Sequence, residues 1–392
     1  MGLKERLDPG VSSEKELMGL LKERIKKDNG FFAGSFSGRQ GYTEKIYLLT
    51  EDILKNRYPG IMPEIEDSFI EKAVSDIFGL GILEKYLSDR TVTDIFIQDT
   101  EMIIIQNGIK TFLGEVFDSI DDVYLLIDRI KLGSGKTVDQ RMPFLNTDLY
   151  DGSRCSIVIP PVSDRVYISI RVFNCRDFEL EDLMGLGMFE VNTLNMLREF
   201  VAGSKNIIIA GSMGSGKTTL LNSLARLIPA NEIISLIQDL PEIRLSRHRY
   251  LRMLTTRPKT REVDFEINQE KLLFETLRMK ADRIIVGEVR DYMAAYQMLQ
   301  ALNTGHRGSF STIHADSSYD ALLRIEMLAM EYRPNLSSSI VKKIVSRAID
   351  IVIFLEPEKD VQMNIRNRKI KEIMAVGAEL NDRGDYSLKR LY

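Results

Sequence analysis

The stretch Asn206-Ile207-Ile208-Ile209-Ala210-Gly211-Ser212-Met213-Gly214-Ser215-Gly216-Lys217-Thr218-Thr219 decides how the chain is read. A short apolar run leads into a glycine-rich loop. An amphipathic run from Thr219 to Leu227 follows, stopped by Pro229. The pattern predicts buried strand, turn and helix. Gly211, four residues, Gly216, Lys217 and Thr218 stand in the register of a phosphate-binding loop. Glycines let successive backbone N–H groups turn inward around phosphate oxygens, and the helix N-terminus adds the positive end of its dipole. Lys217 is placed to reach the β- and γ-phosphates of a nucleotide, and Thr218 to hold Mg²⁺. The expected nucleotide contacts are Gly211, Ser212, Met213, Gly214, Ser215, Gly216, Lys217, Thr218 and Thr219. A glycine loop of this form also arises by chance; the strand before it and the helix after it set this one apart.

Downstream, short apolar runs alternate with helical patterns. Glu232–Gln238, Arg283–Gly287, Ser309–His314 and Asp350–Phe354 are the strand candidates, which predicts a parallel sheet covered by helices. Acids just past such strands lie at the carboxyl edge, where ligands bind in α/β folds. Glu288 follows one strand and is placed to serve Mg²⁺, in part through water. Asp239 and Glu242 follow another, and either can polarise an attacking water. His306 and His314 bracket the strand after Glu288 and read as γ-phosphate sensors. They make a poor zinc pair, since no Cys or further His joins them.

Upstream the texture is α+β. Ser13 to about Lys27 has helical spacing with a capping box, and Gly30 to Gly41 reads as a flexible linker. Ser68 to Leu87 is helical with a break near Gly79 and Gly81. Thr91–Ile97 and Met102–Gln106 read as strands before an Asn107-Gly108 turn. Ile120–Leu132 reads as a helix, and Ser153–Ile159 and Val166–Phe173 as strands. In the last of these, Val166, Ile168, Ile170 and Val172 share one face, so Arg171 points the other way. Gly133-Ser134-Gly135-Lys136-Thr137 imitates a second phosphate loop, but Ile130 stands where its first glycine belongs. A helix C-cap at Gly133 accounts for it. The expected division is an extension over 1–62, an α+β domain over 63–177, a linker over 178–189 and an α/β domain over 190–392.

Composition narrows the class. The 392 residues carry a net charge of −4, against a dedicated nucleic-acid binder. Cys155 and Cys175 form no disulfide framework or metal spacing, so a reducing cytoplasm is expected. No run reaches the length of a membrane span, which leaves membrane association to a partner.

In order along the chain stand the phosphate loop, Ile237-Gln238-Asp239-Leu240-Pro241-Glu242, Val286-Gly287-Glu288-Val289-Arg290, and Thr304-Gly305-His306 through Ser311-Thr312-Ile313-His314. This series resembles the Walker A, Asp box, Walker B and His box of the type II/type IV secretion ATPases. Gly79-Leu80-Gly81-Ile82-Leu83-Glu84, Asp151-Gly152-Ser153-Arg154 and Ile170-Arg171-Val172-Phe173 are similar to the CpaF-like ATPases of tight-adherence (Tad/Flp) pili. The resemblance covers roughly residues 65–355. It implies a C-terminal RecA-like P-loop ATPase domain and a smaller N-terminal PAS-like α+β domain. It also implies a homo-hexamer that uses ATP and Mg²⁺ and works at a polytopic inner-membrane platform protein. On this resemblance Glu242 activates water, Glu288 serves Mg²⁺, His306 and His314 sense the γ-phosphate, and Arg154 and Arg171 reach nucleotide phosphate. Gln238 departs from the family's usual Glu. The other readings are a RecA-type motor on nucleic acid, a conjugation- or competence-type secretion ATPase, and a non-hydrolysing nucleotide-gated scaffold.

Overall fold

The computed structural model describes residues 14–27, 39–57, 67–134, 136–173, 178–239, 242–245, 247–257, 265–361 and 364–392. It divides into two units, residues 1–174 and 175–392. The fold class is α/β, as the sequence predicts.

The first unit begins with helices α1 (Glu14–Lys27), α2 (Arg39–Arg57) and α3 (Asp67–Phe78). Leu21, Ile46, Phe69 and Ala73 bury one shared cluster, so the three helices pack as a bundle. Residues 39–41, expected in a linker, begin α2. Ser13 and most of the expected linker lie outside the described residues. After a 3-10 turn come α4 (Glu84–Leu87), β1 (Val92–Gln98), β2 (Glu101–Gln106), β3 (Ile109–Glu115), α5 (Ile120–Ser134), β4 (Phe144–Asp148), β5 (Arg154–Val158) and β6 (Tyr167–Arg171). The six strands form a sheet in the order β3-β2-β1-β6-β5-β4, antiparallel throughout. Val166, Ile168, Ile170 and Val172 are buried together with Val123, Leu126, Ile127 and Ile130 of α5. Gly133 lies in the last turn of α5 and is not its cap, because the helix continues to Ser134. Cys155 is buried in this core, and Cys175 lies outside the described residues.

The second unit runs α6 (Leu180–Gly185), α7 (Val191–Ala202), β7 (Ile207–Gly211), α8 (Lys217–Ala225), β8 (Ile234–Gln238), β9 (Leu251–Thr255), α9 (Gln269–Thr276), β10 (Arg283–Val286), α10 (Tyr292–Asn303), β11 (Phe310–Ile313), α11 (Ser318–Tyr332), α12 (Ser338–Ala348), β12 (Ile351–Lys359), β13 (Ile365–Val376) and β14 (Leu388–Arg390). The sheet order is β14-β13-β12-β7-β11-β10-β8-β9. From β12 to β9 every pairing is parallel; β13 and β14 pair antiparallel. The sheet is thus mixed, where the sequence reading expects a parallel one. Its central strands are covered on both faces. Ile207 and Ile209 pack with α7 and α8, while Ile208 and Ala210 pack with α10, α11 and α12. The expected linker over 178–189 carries α6, and Leu180, Leu183, Met188 and Phe189 are buried in this unit's core.

Candidate active site

Parallel neighbours all end on the same side, so β7, β11, β10 and β8 bring the loops that follow them to one edge. Gly211 closes β7, and a Cβ there would stand 2.4 Å from the Leu355 carbonyl oxygen, which no side chain tolerates. Gly216, at φ +94°, turns the chain into α8 in the left-handed region. Beneath the loop the Ser215 hydroxyl is buried with no hydrogen-bond partner among the described residues.

Lys217 is buried in the first turn of α8. Its ammonium donates to the carbonyls of Gly211 and Ser212, both at 2.9 Å, and lies 3.2 Å from His314 Nδ1. All three ammonium protons are engaged. Burial pulls the Lys217 pKa down to about 8, against the upward pull of Glu288. His314 stands just past β11, and its Nε2 is 3.0 Å from Glu288 Oε1. Burial, then the neighbouring Lys217 charge, lower the His314 pKa. An ammonium facing Nδ1 and a carboxylate facing Nε2 suit a ring that accepts at Nδ1 and donates from Nε2.

Glu288 Oε2 accepts from Arg290 Nε at 2.8 Å and Nη2 at 2.6 Å. Arg290 Nη1 lies 3.4 Å from Asp239 Oδ2. Asp239 Oδ1 in turn accepts from Thr256 and Gln269, each at 3.1 Å. Burial works against the Arg290 charge, but Glu288, Asp239 and Glu242 outweigh it and raise its pKa. Lys217, His314, Glu288, Arg290 and Asp239 thus form one continuous polar chain along the carboxyl edge of four adjacent strands. Glu242 is half-buried past β8, within reach of the Arg290 charge. Gln238 is buried, and its Oε1 accepts the Ile243 N–H at 3.0 Å, which fixes the segment carrying Glu242. The side chain that departs from the expected Glu is a backbone anchor here.

The model of the type II/IV secretion system protein family matches residues 67–379. The chain belongs to this family. It is 31% identical over 320 residues to the type IV secretion system protein PtlH of Bordetella pertussis, covering 74% of this chain and 93% of that protein. It is also 31% identical over 263 residues to an uncharacterized protein of Methanocaldococcus jannaschii. There it spans 65% of its own length and only 36% of the relative's. The crystal structure of the ATPase DotB from Yersinia pseudotuberculosis matches with a TM-score of 0.56 at 18% identity, covering 81% of each chain. That likeness speaks to the fold.

The two histidines His306 and His314 do not converge within this chain. β11 is parallel to β7, so the residue after it reaches the loop edge and the residues before it lie at the other edge. At about 3.3 Å per residue, its four residues separate the two ends well beyond a hydrogen bond. His306 lies at the far edge, its Nδ1 3.2 Å from the Ala301 carbonyl oxygen.

Arg154 and Arg171 do come together. They are direct cross-strand partners on β5 and β6, flanked by Asp148 on β4 and Asp94 on β1. Arg171 Nε is 3.4 Å from Asp94 Oδ1. Like charges placed opposite each other weaken a sheet, and the two flanking aspartates offset that here.

The sequence reading passed over Thr256, Gln269 and Arg368 as site residues. Arg368, on β13, donates from Nε to the Gly214 carbonyl oxygen at 2.8 Å. No local pattern marks these residues; only the sheet order brings them to the loop.

Proposed function

We propose that this chain is an ATP hydrolase that powers a secretion or pilus-assembly machine. It works as a homo-hexamer at a polytopic membrane platform protein, as in the CpaF-like ATPases of tight-adherence pili. The observation that carries this reading is the chain from Lys217 through His314, Glu288 and Arg290 to Asp239 beside the glycine loop.

The ammonium of Lys217 exchanges its two carbonyl partners for β- and γ-phosphate oxygens. His314 keeps its contacts with Lys217 and Glu288 and so holds both beside the incoming phosphate. The residues fit Mg²⁺, which takes oxygen ligands and typically only one or two from protein. Thr218, at the start of α8, and Glu288 would hold it, partly through water, and the ion would neutralise charge developing on the phosphate oxygens. Glu242 polarises the attacking water for in-line displacement. Asp239 is held by Thr256, Gln269 and Arg290, and so positions Arg290 instead. Arg154 and Arg171 supply guanidinium groups to nucleotide phosphate, a role suited to always-charged, bidentate donors. His306, remote from Lys217 within its own chain, takes no step here.

Glu242→Gln should bind ATP as the wild type does and hydrolyse it at least about a hundredfold more slowly. Single-turnover hydrolysis with a separate binding titration checks this; normal turnover in Glu242→Gln rules out the proposed base.

A further inference from the structure

The side of the loop away from Lys217 has its own chemistry. In the sheet, β7 lies between β11 and β12, and β13 lies beyond β12. Lys217, His314 and Glu288 occupy the β11 and β10 side. On the other side the start of β13 packs against the loop. A Cβ at Gly214 would lie 3.2 Å from Ile365 Cδ1. At Gly216 it would lie 3.2 Å from Arg368 Cδ and 3.3 Å from Met188 Cε. Met188 is tied to the same strand, its carbonyl accepting the Ile370 N–H at 3.0 Å. Asn367 Nδ2 closes on Gly187, 3.4 Å from where a Cβ there would sit.

Arg368 is a half-buried cation with one hydrogen bond from its guanidinium, Nε to the Gly214 carbonyl. Among the described residues no carboxylate pairs with it, and burial pushes its pKa down with nothing to offset that. A guanidinium so placed, next to an apolar thioether, suits a flat π-surface bearing hydrogen-bond acceptors. A nucleotide whose terminal phosphate lies by Lys217 leaves the loop on the opposite side, toward β13.

We propose that Arg368, with Asn367 and Met188, forms the base and ribose side of the nucleotide site. Arg368 covers the base of a nucleoside triphosphate and does not hold its phosphates. This rests on the loop being the phosphate site, so the test separates the two claims. Calorimetric titrations of the full chain with ATP and with inorganic tripolyphosphate, which has no base or ribose, supply both arms.

Arg368→Ala should weaken ATP about tenfold, between the scales of an exposed and a fully desolvated cation–π contact, and leave tripolyphosphate binding unchanged. Arg368→Gln, which keeps an N–H donor near Gly214 but removes the guanidinium plane, should show the same pattern. Equal weakening of both ligands overturns the proposal, because Arg368 would then brace the loop or bind phosphate. No change in either ligand also overturns it. Failure of the phosphate-site reading looks different: Lys217→Ala would bind tripolyphosphate as tightly as the wild type.

Discussion

Burial among carbonyls leaves Lys217 with a pKa of about 8 in the absence of nucleotide. Phosphate favours the charged ammonium and raises that value. With that pKa Lys217 is about half protonated near pH 8, and on the proposed function nucleotide binding would complete its protonation. ATP binding at pH 8 should therefore take up about half a proton. At pH 6.8 Lys217 is already protonated, so its uptake falls toward zero. Calorimetry in buffers of different ionisation enthalpy measures this; equal uptake at both pH values would show that Lys217 does not meet the phosphates. Glycine loop, Lys217 and Glu288 were legible because each sits in a short contiguous pattern. The positions of Gln238 and His306 were not. Gln238 acts through the backbone of Ile243, and His306 stands at an edge that only the strand direction reveals.

Among the described residues the largest fully buried side chain is that of Arg283, at the start of β10. Arg283 is 2% exposed in its side chain and pairs with Glu232 at 2.5 Å. It also donates to the carbonyls of Val201 and Gly308. One guanidinium thus ties β10 to the end of α7 and to the loop before β11. Gly308 sits at φ +76°, and a Cβ there would lie 2.6 Å from Arg283 Nη1. Removing one partner of a buried pair leaves the other uncompensated. Arg283→Ala should then destabilise the second unit by about 3 kcal/mol or more, and Gly308→Ala should also lower its melting temperature. Denaturant unfolding tests this; a loss of under about 0.5 kcal/mol for Arg283→Ala would mean the clamp is inert.

The strands legible in sequence were those with a buried face. β3 exposes nearly every residue, and β9 is a half-exposed edge strand. β13 is rich in charge where it pairs with β12, through Lys369–Glu358 at 2.9 Å and Lys371–Glu356 at 3.3 Å. Periodicity has little to detect in such strands, and with β13 went the chance to foresee Arg368.

For the whole molecule, the alternation of strand and helix foretold an α/β unit after an α+β one. The motif order foretold the type II/IV secretion system protein family. It did not foretell the bundle of α1, α2 and α3, whose first two helices lie outside residues 67–379 matched by the family model. No helix among the described residues is long and apolar enough to cross a membrane. The proposed function rests on nucleotide chemistry at the glycine loop, which makes hydrolysis at Lys217 the central claim. The most direct measurement is steady-state phosphate release from Mg-ATP by the full chain beside its Lys217→Ala variant. The wild type should turn over ATP, with the Lys217→Ala rate at background and its fold unchanged by circular dichroism. Equal rates in the two proteins would contradict the assignment of this loop as the catalytic phosphate site.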